Sequence, residues 1–324
     1  YNTFRNRLKK MFNQFSNKAI RDEIEGVSKS PYMVYHLQLE KIISLIKKIM
    51  KDEVEFVLVN DSAIKNIEDN LKVIAAYPQL KNLPIVIGES DPEGCAACGM
   101  ATSPQNAYRN GTMYSSYTAA TFARKYELAK KYNSNLMGAV TWAFEFENQP
   151  WFYGFRDLAT NGVDKPVLNV FRMFGKMQGD FVESKSDHAY SLQMALDSSF
   201  RGAKTDIGTL ATKNKNTASV MVWNYHDVDK KDEFTEVTLE ISGIKSTSAK
   251  LTHYRIDDLH SNSYEVWKKM GSPQSPTSQQ ISALEKAGQL AMVNPPKKLT
   301  ITKGGLKIET ELPRQAVDLF QLTW

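Results

Sequence analysis

Between residues 56 and 180, short apolar runs alternate with segments of helical periodicity, and this rhythm restricts the fold more than any other feature. "FVLVN" (Phe56–Asn60), "IVIGE" (Ile85–Glu89) and "AVTWAF" (Ala139–Phe144) are short and rich in β-branched and aromatic residues, as buried strands require. Between them lie two stretches of helical spacing. The first is "AIKNIEDNLKVIAAY" (63–77), preceded by an Asp61-Ser62 cap. The second is "SSYTAATFARKYELAKKY" (115–132), stopped by Asn-Ser-Asn. A third helix, "PVLNVFRMFGKM" (166–177), opens at Pro166, whose missing N–H is harmless in a first turn. This β-α-β-α-β-α order predicts a parallel sheet or an α/β barrel.

From about residue 186 the period changes to two. "ASVMVWNYH", "FTEVTLEISG", "AKLTHYRID", "KKLTITKG", "GLKIETELP" and "AVDLFQLTW" are short strands separated by Gly, Pro, Asn and Asp. They predict an antiparallel β-sandwich. Trp223, Tyr225, Tyr254, Trp267 and Trp324 lie on or beside these strands and are expected mostly in packing roles. "GSPQSPTSQQ" (Gly271–Gln280) reads as a polar loop, too short for a domain linker. A length of 324 residues suits two units.

Residues 1–55 stand apart. They hold 11 Lys/Arg and 7 Asp/Glu, a net +4 of the chain's +5, so the basic excess belongs to one segment and not to a nucleic-acid-binding face. "LEKIISLIKKIM" (Leu39–Met50) has the spacing of an amphipathic surface helix, with a membrane or partner helix as the other reading. No apolar run approaches the roughly 18 residues of a transmembrane span, and neither a nucleic-acid nor a membrane partner is implied. The opening "YNTFRNRLKK" has no initiator Met and no apolar signal core, which fits a fragment or a processed product and leaves the compartment open.

Two features compete for the chemistry. In an α/β barrel, functional side chains sit at the C-terminal ends of strands. Glu89 ends one strand, and Glu145 and Glu147 follow the next, just after Trp142. Carboxylates beside aromatics suit sugar chemistry, because aromatic faces stack on pyranose rings while one carboxylate attacks and another protonates. An acid after a strand is more often just a helix cap or a surface charge, so both readings of Glu89 stand on spacing alone. The rival is Cys95-x-x-Cys98, as a redox pair, half of a zinc site, or a loop element that forms a disulfide. Its Glu-Gly and Gly-Met flanks are loop-like. The chain has no other Cys, and its five His (His36, His188, His226, His253, His260) are distant in sequence.

At these residues the chain resembles glycoside hydrolase family 39, most closely the bacterial β-xylosidase branch. The resemblance is carried by "LKNLPIVIGESDPEGCAAC", "YRNGTMYSSYTAATFARK" and "GAVTWAFEFENQPWFYGFRDLATNGVDKPVLNVFRMFGKM". "VMVWNYHD", "YRIDDLHSNSYEVWKKMGSPQSPT" and "PPKKLTI" resemble the family's C-terminal β-domain. It runs from about Ala63 to Trp324. It implies a partial (β/α)8 barrel over residues 61–182 and a β-sandwich accessory domain over 183–324, with 1–60 outside the family. It also implies a retaining glycosidase that removes terminal β-D-xylosyl residues from xylo-oligosaccharides without a cofactor or metal. Glu89 matches the family's nucleophile, the Glu closing the strand in its "P-[IV]-x-[IL]-[GT]-E" motif. The strand ending "TWAFEFE" supplies Trp142 and an acid, here Glu147, to the substrate subsite.

The departures are equally specific. The family's acid/base Glu follows an Asn on the fourth of eight strands, and no Asn-Glu dipeptide occurs in this chain, so the acid/base is unassigned. The family's His-containing strand end is replaced by "DEVEFVLVND". "VSKSPYMVYHLQLEKIISLIKKIMKDEVEF" reads like a translation in a shifted frame. Three parallel strands cannot close a barrel, so negligible glycosidase activity and a protease-sensitive first 60 residues are expected. The alternative to the enzyme is therefore a catalytically incompetent fragment or carbohydrate-binding remnant. A redox protein using Cys95 and Cys98 is a third reading.

Overall fold

The computed structural model describes residues 61–77, 82–92, 95–141, 143–198, 200, 204–229 and 233–324, all within one compact unit, Val59–Trp324. The expected strand Phe56–Asn60 and the helix in "LEKIISLIKKIM" lie outside the described residues. The first element is helix α1 (Asp61–Ala75), which starts at the expected cap. Its Ile64 and Leu71 are buried, and Ile67 packs beside them against Leu128, Leu192 and Leu196. The same face buries Glu68, which accepts hydrogen bonds from Lys131 and Tyr132 (both 2.8 Å) and from Lys65 (3.0 Å) and pairs with Lys72 (2.9 Å). Burial alone would raise this carboxyl's pKa, but the bonds from Lys131, Lys72, Lys65 and Tyr132 outweigh it and hold it well below the usual range.

Strands β1 (Ile85–Glu89) and β2 (Leu136–Val140) pair in parallel. Helix α2 (Thr112–Lys131) is the crossover between them, as a parallel pair demands. The second strand ends earlier than the expected Ala139–Phe144. The reason is backbone pairing: beyond Val140 the chain bonds to its own return, with Ala143 N donating to Arg156 O (3.3 Å) and Leu158 N to Phe144 O (2.9 Å). That return forms a small hairpin, β3 (Ala159–Thr160) and β4 (Val163–Asp164). Its Asn161-Gly162 turn takes positive φ at both residues (46° and 81°), the Asn-Gly chemistry of a two-residue hairpin. Helix α3 (Pro166–Lys176) opens at Pro166, as expected.

The second half is antiparallel. Its strands are β5 (Asp180–Val182), β6 (Asp206–Lys213), β7 (Thr217–Tyr225), β8 (Phe234–Ile241), β9 (Ser248–Ile256), β10 (Ala291–Met292), β11 (Lys297–Thr300), β12 (Leu306–Pro313) and β13 (Val317–Thr323). Among the described residues, one seven-stranded sheet runs β10-β9-β13-β7-β6-β5, with β11 also on β9. A two-stranded sheet, β12-β8, faces it. The larger sheet already takes up Asp180–Val182, just before the expected start of the sandwich at 183. β5 and β6 escape the period-two pattern: β5 is short and exposed, and Gly208 and two Thr dilute the apolar alternation of β6. Gly208 is there for packing, since a Cβ would stand 2.2 Å from the Trp223 ring. Three helices interrupt the strands: α4 (Leu192–Ser198), α5 (Ser263–Lys269) and α6 (Ser278–Gly288). The loop expected over Gly271–Gln280 therefore stops at Thr277. There Thr277 and Gln280 form a reciprocal capping box that starts α6.

The larger sheet is covered on both faces. On one, Met221, Trp223, Tyr225, Val317 and Leu319 pack against Tyr114, Tyr117 and Ala120 of α2. On the other, Val220, Val222, Phe320 and Leu322 meet Ile308 and Leu312 of β12, with Val237 and Leu239 of β8 alongside. Polar bonds lock α2 to the sheet. Arg124 donates to Tyr190 O (2.7 Å) and pairs with buried Asp206 (3.1 Å), and Ser116 donates to Gln315 (2.6 Å). The Trp223 indole donates to the other oxygen of Asp206 (2.8 Å), Tyr225 donates to Asp227 (2.8 Å) and Trp267 to Pro273 O (2.9 Å), so these three aromatics are packing residues, as expected.

Candidate active site

The adjacent C-terminal ends of β1 and β2 carry a cluster of buried charge. Glu89 is the last residue of β1, in register with Val140, and the next amide, Ser90 N, donates to Val140 O (2.9 Å). Asp91 then fastens the two strand ends together. Its carboxylate accepts from Thr141, the residue after β2, and from Tyr114 of α2 (3.3 Å). Arg156 lies 3.5 Å from its second oxygen, and both side chains are 2% exposed. Burial pulls Arg156 down to about 10, which leaves it charged at neutral pH beside the carboxylate. Lys125, one turn from Phe122 and with its amine 3.7 Å from that ring's centroid, is pushed down by burial to about 7, against the opposing pull of Asp91.

A second layer of buried polar groups joins the loop after β1 to the loop after β2. Arg109, at the end of a 3-10 helix (Pro104–Asn110), donates to Cys95 O (3.3 Å), Cys98 O (3.4 Å) and Gly154 O (3.4 Å). Asn110 donates to Phe152 O (2.8 Å) and accepts from Gly154 N (3.1 Å). Gly154 has φ +78°, and a Cβ there would stand 2.6 Å from Met100, so only glycine fits this crossing of the two loops. Below it, Lys165 pairs with Asp157 (2.6 Å) and donates to Phe155 O (2.9 Å). Burial raises the Asp157 pKa and lowers that of Lys165, and their mutual attraction opposes both shifts.

The sequence candidates fall unevenly on this frame. The backbone of Glu89 closes β1 as expected. Trp142 lies outside the described residues. Glu147 is exposed in the loop after β2, and its carbonyl accepts from the Gln149 side chain (3.2 Å). Glu145 accepts from Gly162 N (2.8 Å), which ties it to the β3–β4 turn. Cys95 and Cys98 are joined in a disulfide, which removes them as metal ligands. No cluster of His, Cys, Asp or Glu with the makings of a metal site occurs among the described residues. No described helix is long and apolar enough to cross a membrane. Asp91, Arg109 and Arg156 were not singled out from sequence. The one local hint was the second acid in "GESD".

Known proteins share both halves of this architecture. The chain is 27% identical over 142 residues to a curated β-xylosidase from Caldicellulosiruptor saccharolyticus, an alignment covering 44% of this chain and 26% of that one. Two solved structures superpose with TM-scores of 0.61 and 0.60 at 15% and 16% identity: a GH39 enzyme from Xanthomonas axonopodis pv. citri and a monomeric β-xylosidase from Caulobacter crescentus CB15. They align with 81% and 82% of this chain but only 48% and 50% of their own length, so this chain has their fold over about half of each. The model of the glycosyl hydrolases family 39 matches residues 57–301, and the chain belongs to that family.

Proposed function

We propose that the chain carries the nucleophile half of a retaining glycosidase, with Glu89 as the nucleophile and terminal β-D-xylosyl residues of xylo-oligosaccharides as the substrate. The architecture behind this reading is a C-terminal portion of a (β/α)8 barrel over residues 61–182, followed by a sandwich over 183–324. Family membership supports a glycosidase, and the xylosidase relatives favour xylose. The observation that carries the reading is the position of Glu89. It ends a parallel strand directly beside the end of its parallel neighbour, where Asp91, Thr141 and Arg156 hold the two strand ends in fixed register. In this reading Glu89 attacks the anomeric carbon, the leaving-group oxygen is protonated by an acid yet to be assigned, and water hydrolyses the glycosyl-enzyme. Trp142 stacks on the sugar and Glu147 binds a hydroxyl.

The test is trapping with a 2-deoxy-2-fluoro-β-xylosyl donor carrying a good leaving group, which needs little acid assistance. A stable adduct on the peptide containing Glu89, absent in Glu89→Ala, is the expected result. An adduct on another carboxylate removes Glu89 from the role.

The second reading is an incompetent fragment or carbohydrate-binding remnant, and one observation favours it. Val86, Met137 and Val140 on β1 and β2 are 63%, 65% and 53% exposed, where a closed barrel would bury such residues. No adduct with the fluorosugar and no release of nitrophenol from aryl β-xyloside would decide for it.

A further inference from the structure

The Cys95–Cys98 disulfide sits where the loop after β1 meets the loop after β2, and two of the hydrogen bonds between those loops lie in or just beside its short ring. Arg156 N donates to Ala96 O inside the ring (2.9 Å), and Met100 N, two residues past it, donates to Tyr153 O (2.8 Å). The carbonyls of both cysteines face the Arg109 guanidinium, and Asn106 donates to Cys98 O (2.7 Å). Arg109 is 1% exposed, so the ring supplies acceptors to a charge that cannot reach water instead. Cys95 itself has φ +54°, a left-handed conformation that a side-chain-bearing residue rarely holds without constraint. Yet Cys95 is exposed and Cys98 half-buried, so a soluble thiol can reach the bond.

We infer that this disulfide is a redox-operated latch. Oxidised, it holds the β1–α2 loop against the return after β2; reduced, it lets the two loops part. The step is thiol–disulfide exchange with a dithiol. One thiolate attacks a cysteine sulfur to form a mixed disulfide, and the second thiol displaces it. The reductant leaves as its own disulfide, and Cys95 and Cys98 leave as two thiols carrying the two electrons and two protons. Without the ring, Cys95 relaxes from its positive φ and Arg109 loses two of its acceptors. The opening therefore spreads from the ring to Met100 and Arg156 and stops at the sheet, whose strands make no use of the ring. The latch depends only on these contacts, so it stands or falls apart from the glycosidase reading.

Amide hydrogen exchange of the full chain, before and after dithiothreitol, tests it, with intact mass reporting the gain of two hydrogens. The amides of Cys98, Met100 and Arg156 should exchange faster by about tenfold or more after reduction, as for a local opening. Those of β7 and β13 should not change. A Cys95→Ser/Cys98→Ser chain should show the fast loop exchange with or without reductant; if that variant does not fold, reduced and carboxamidomethylated wild-type chain takes its place. Equal exchange in both states, acceleration shared equally by β7 and β13, or a disulfide that resists dithiothreitol in the folded protein each overturns the latch.

Discussion

The central sheet and the β1–β2 pair are both built of apolar strands, but among the described residues only one of them is buried on both faces. Every residue of β7 from Ala218 to Tyr225 is buried, because α2 covers one face and the β12–β8 sheet covers the other. In β1 the residues from Ile85 to Gly88 alternate between half-buried and exposed, in β2 only Met137 and Val140 are exposed and the rest half-buried, and none of these residues is fully buried. The sandwich therefore carries its own core within the described chain, whereas the parallel pair has a face built for neighbours. An apolar strand pattern reports a demand for burial, and the rest of the molecule decides whether that demand is met.

The sharpest way to break this comparison is to remove a side chain from the double-sided core. Trp223→Ala takes away a residue that is 1% exposed and strands the second oxygen of Asp206. The loss should be about 3–5 kcal/mol, visible as aggregation or a lower midpoint in urea. A soluble variant with unchanged melting would mean that the sheet is not the core of the unit.

A smaller effect should come from the interface between the two regions. Lys125 of α2 is pushed down to about 7 by burial. The unfolded chain keeps the ordinary lysine value of about 10.4 and binds this proton over the whole interval, so stability should rise with pH between about 7 and about 10. Lys125→Met should flatten that slope and raise stability near pH 7 by about 1 kcal/mol or more. Denaturant titrations at three pH values measure it. An identical slope in both proteins would place the amine in water.

The smallest effect should be on the parallel pair. Met137→Lys puts a charge on a residue 65% exposed. In this chain it should shift stability by no more than about 0.5 kcal/mol. In a longer chain that closes a barrel over β2, the same change should cost several times more. A large cost already in this chain would show that the face is covered, and would make the two regions alike.

Much of the fold was legible because its signals are local. Period two marked β7, β8, β9, β12 and β13, and helical spacing with a cap, a stop signal or Pro marked α1, α2 and α3, each within a window of some ten residues. β6 was not legible, because Gly208 answers to the ring of Trp223, which arrives from the next strand, and two Thr dilute the rest of the pattern. The end of β2 was misplaced because its last apolar residues pair with the return after residue 153 and not with β1. At the candidate site, the sequence determined that an acid, Glu89, closes a strand and that a Cys-x-x-Cys pair follows it. Only the tertiary structure decided that Asp91 is a buried clamp and that Arg109 and Arg156 join two loops. Their partners lie 11 to 65 residues away along the chain. A charge acquires such a role only when folding brings its acceptors within hydrogen-bond reach and excludes the water that would otherwise satisfy it.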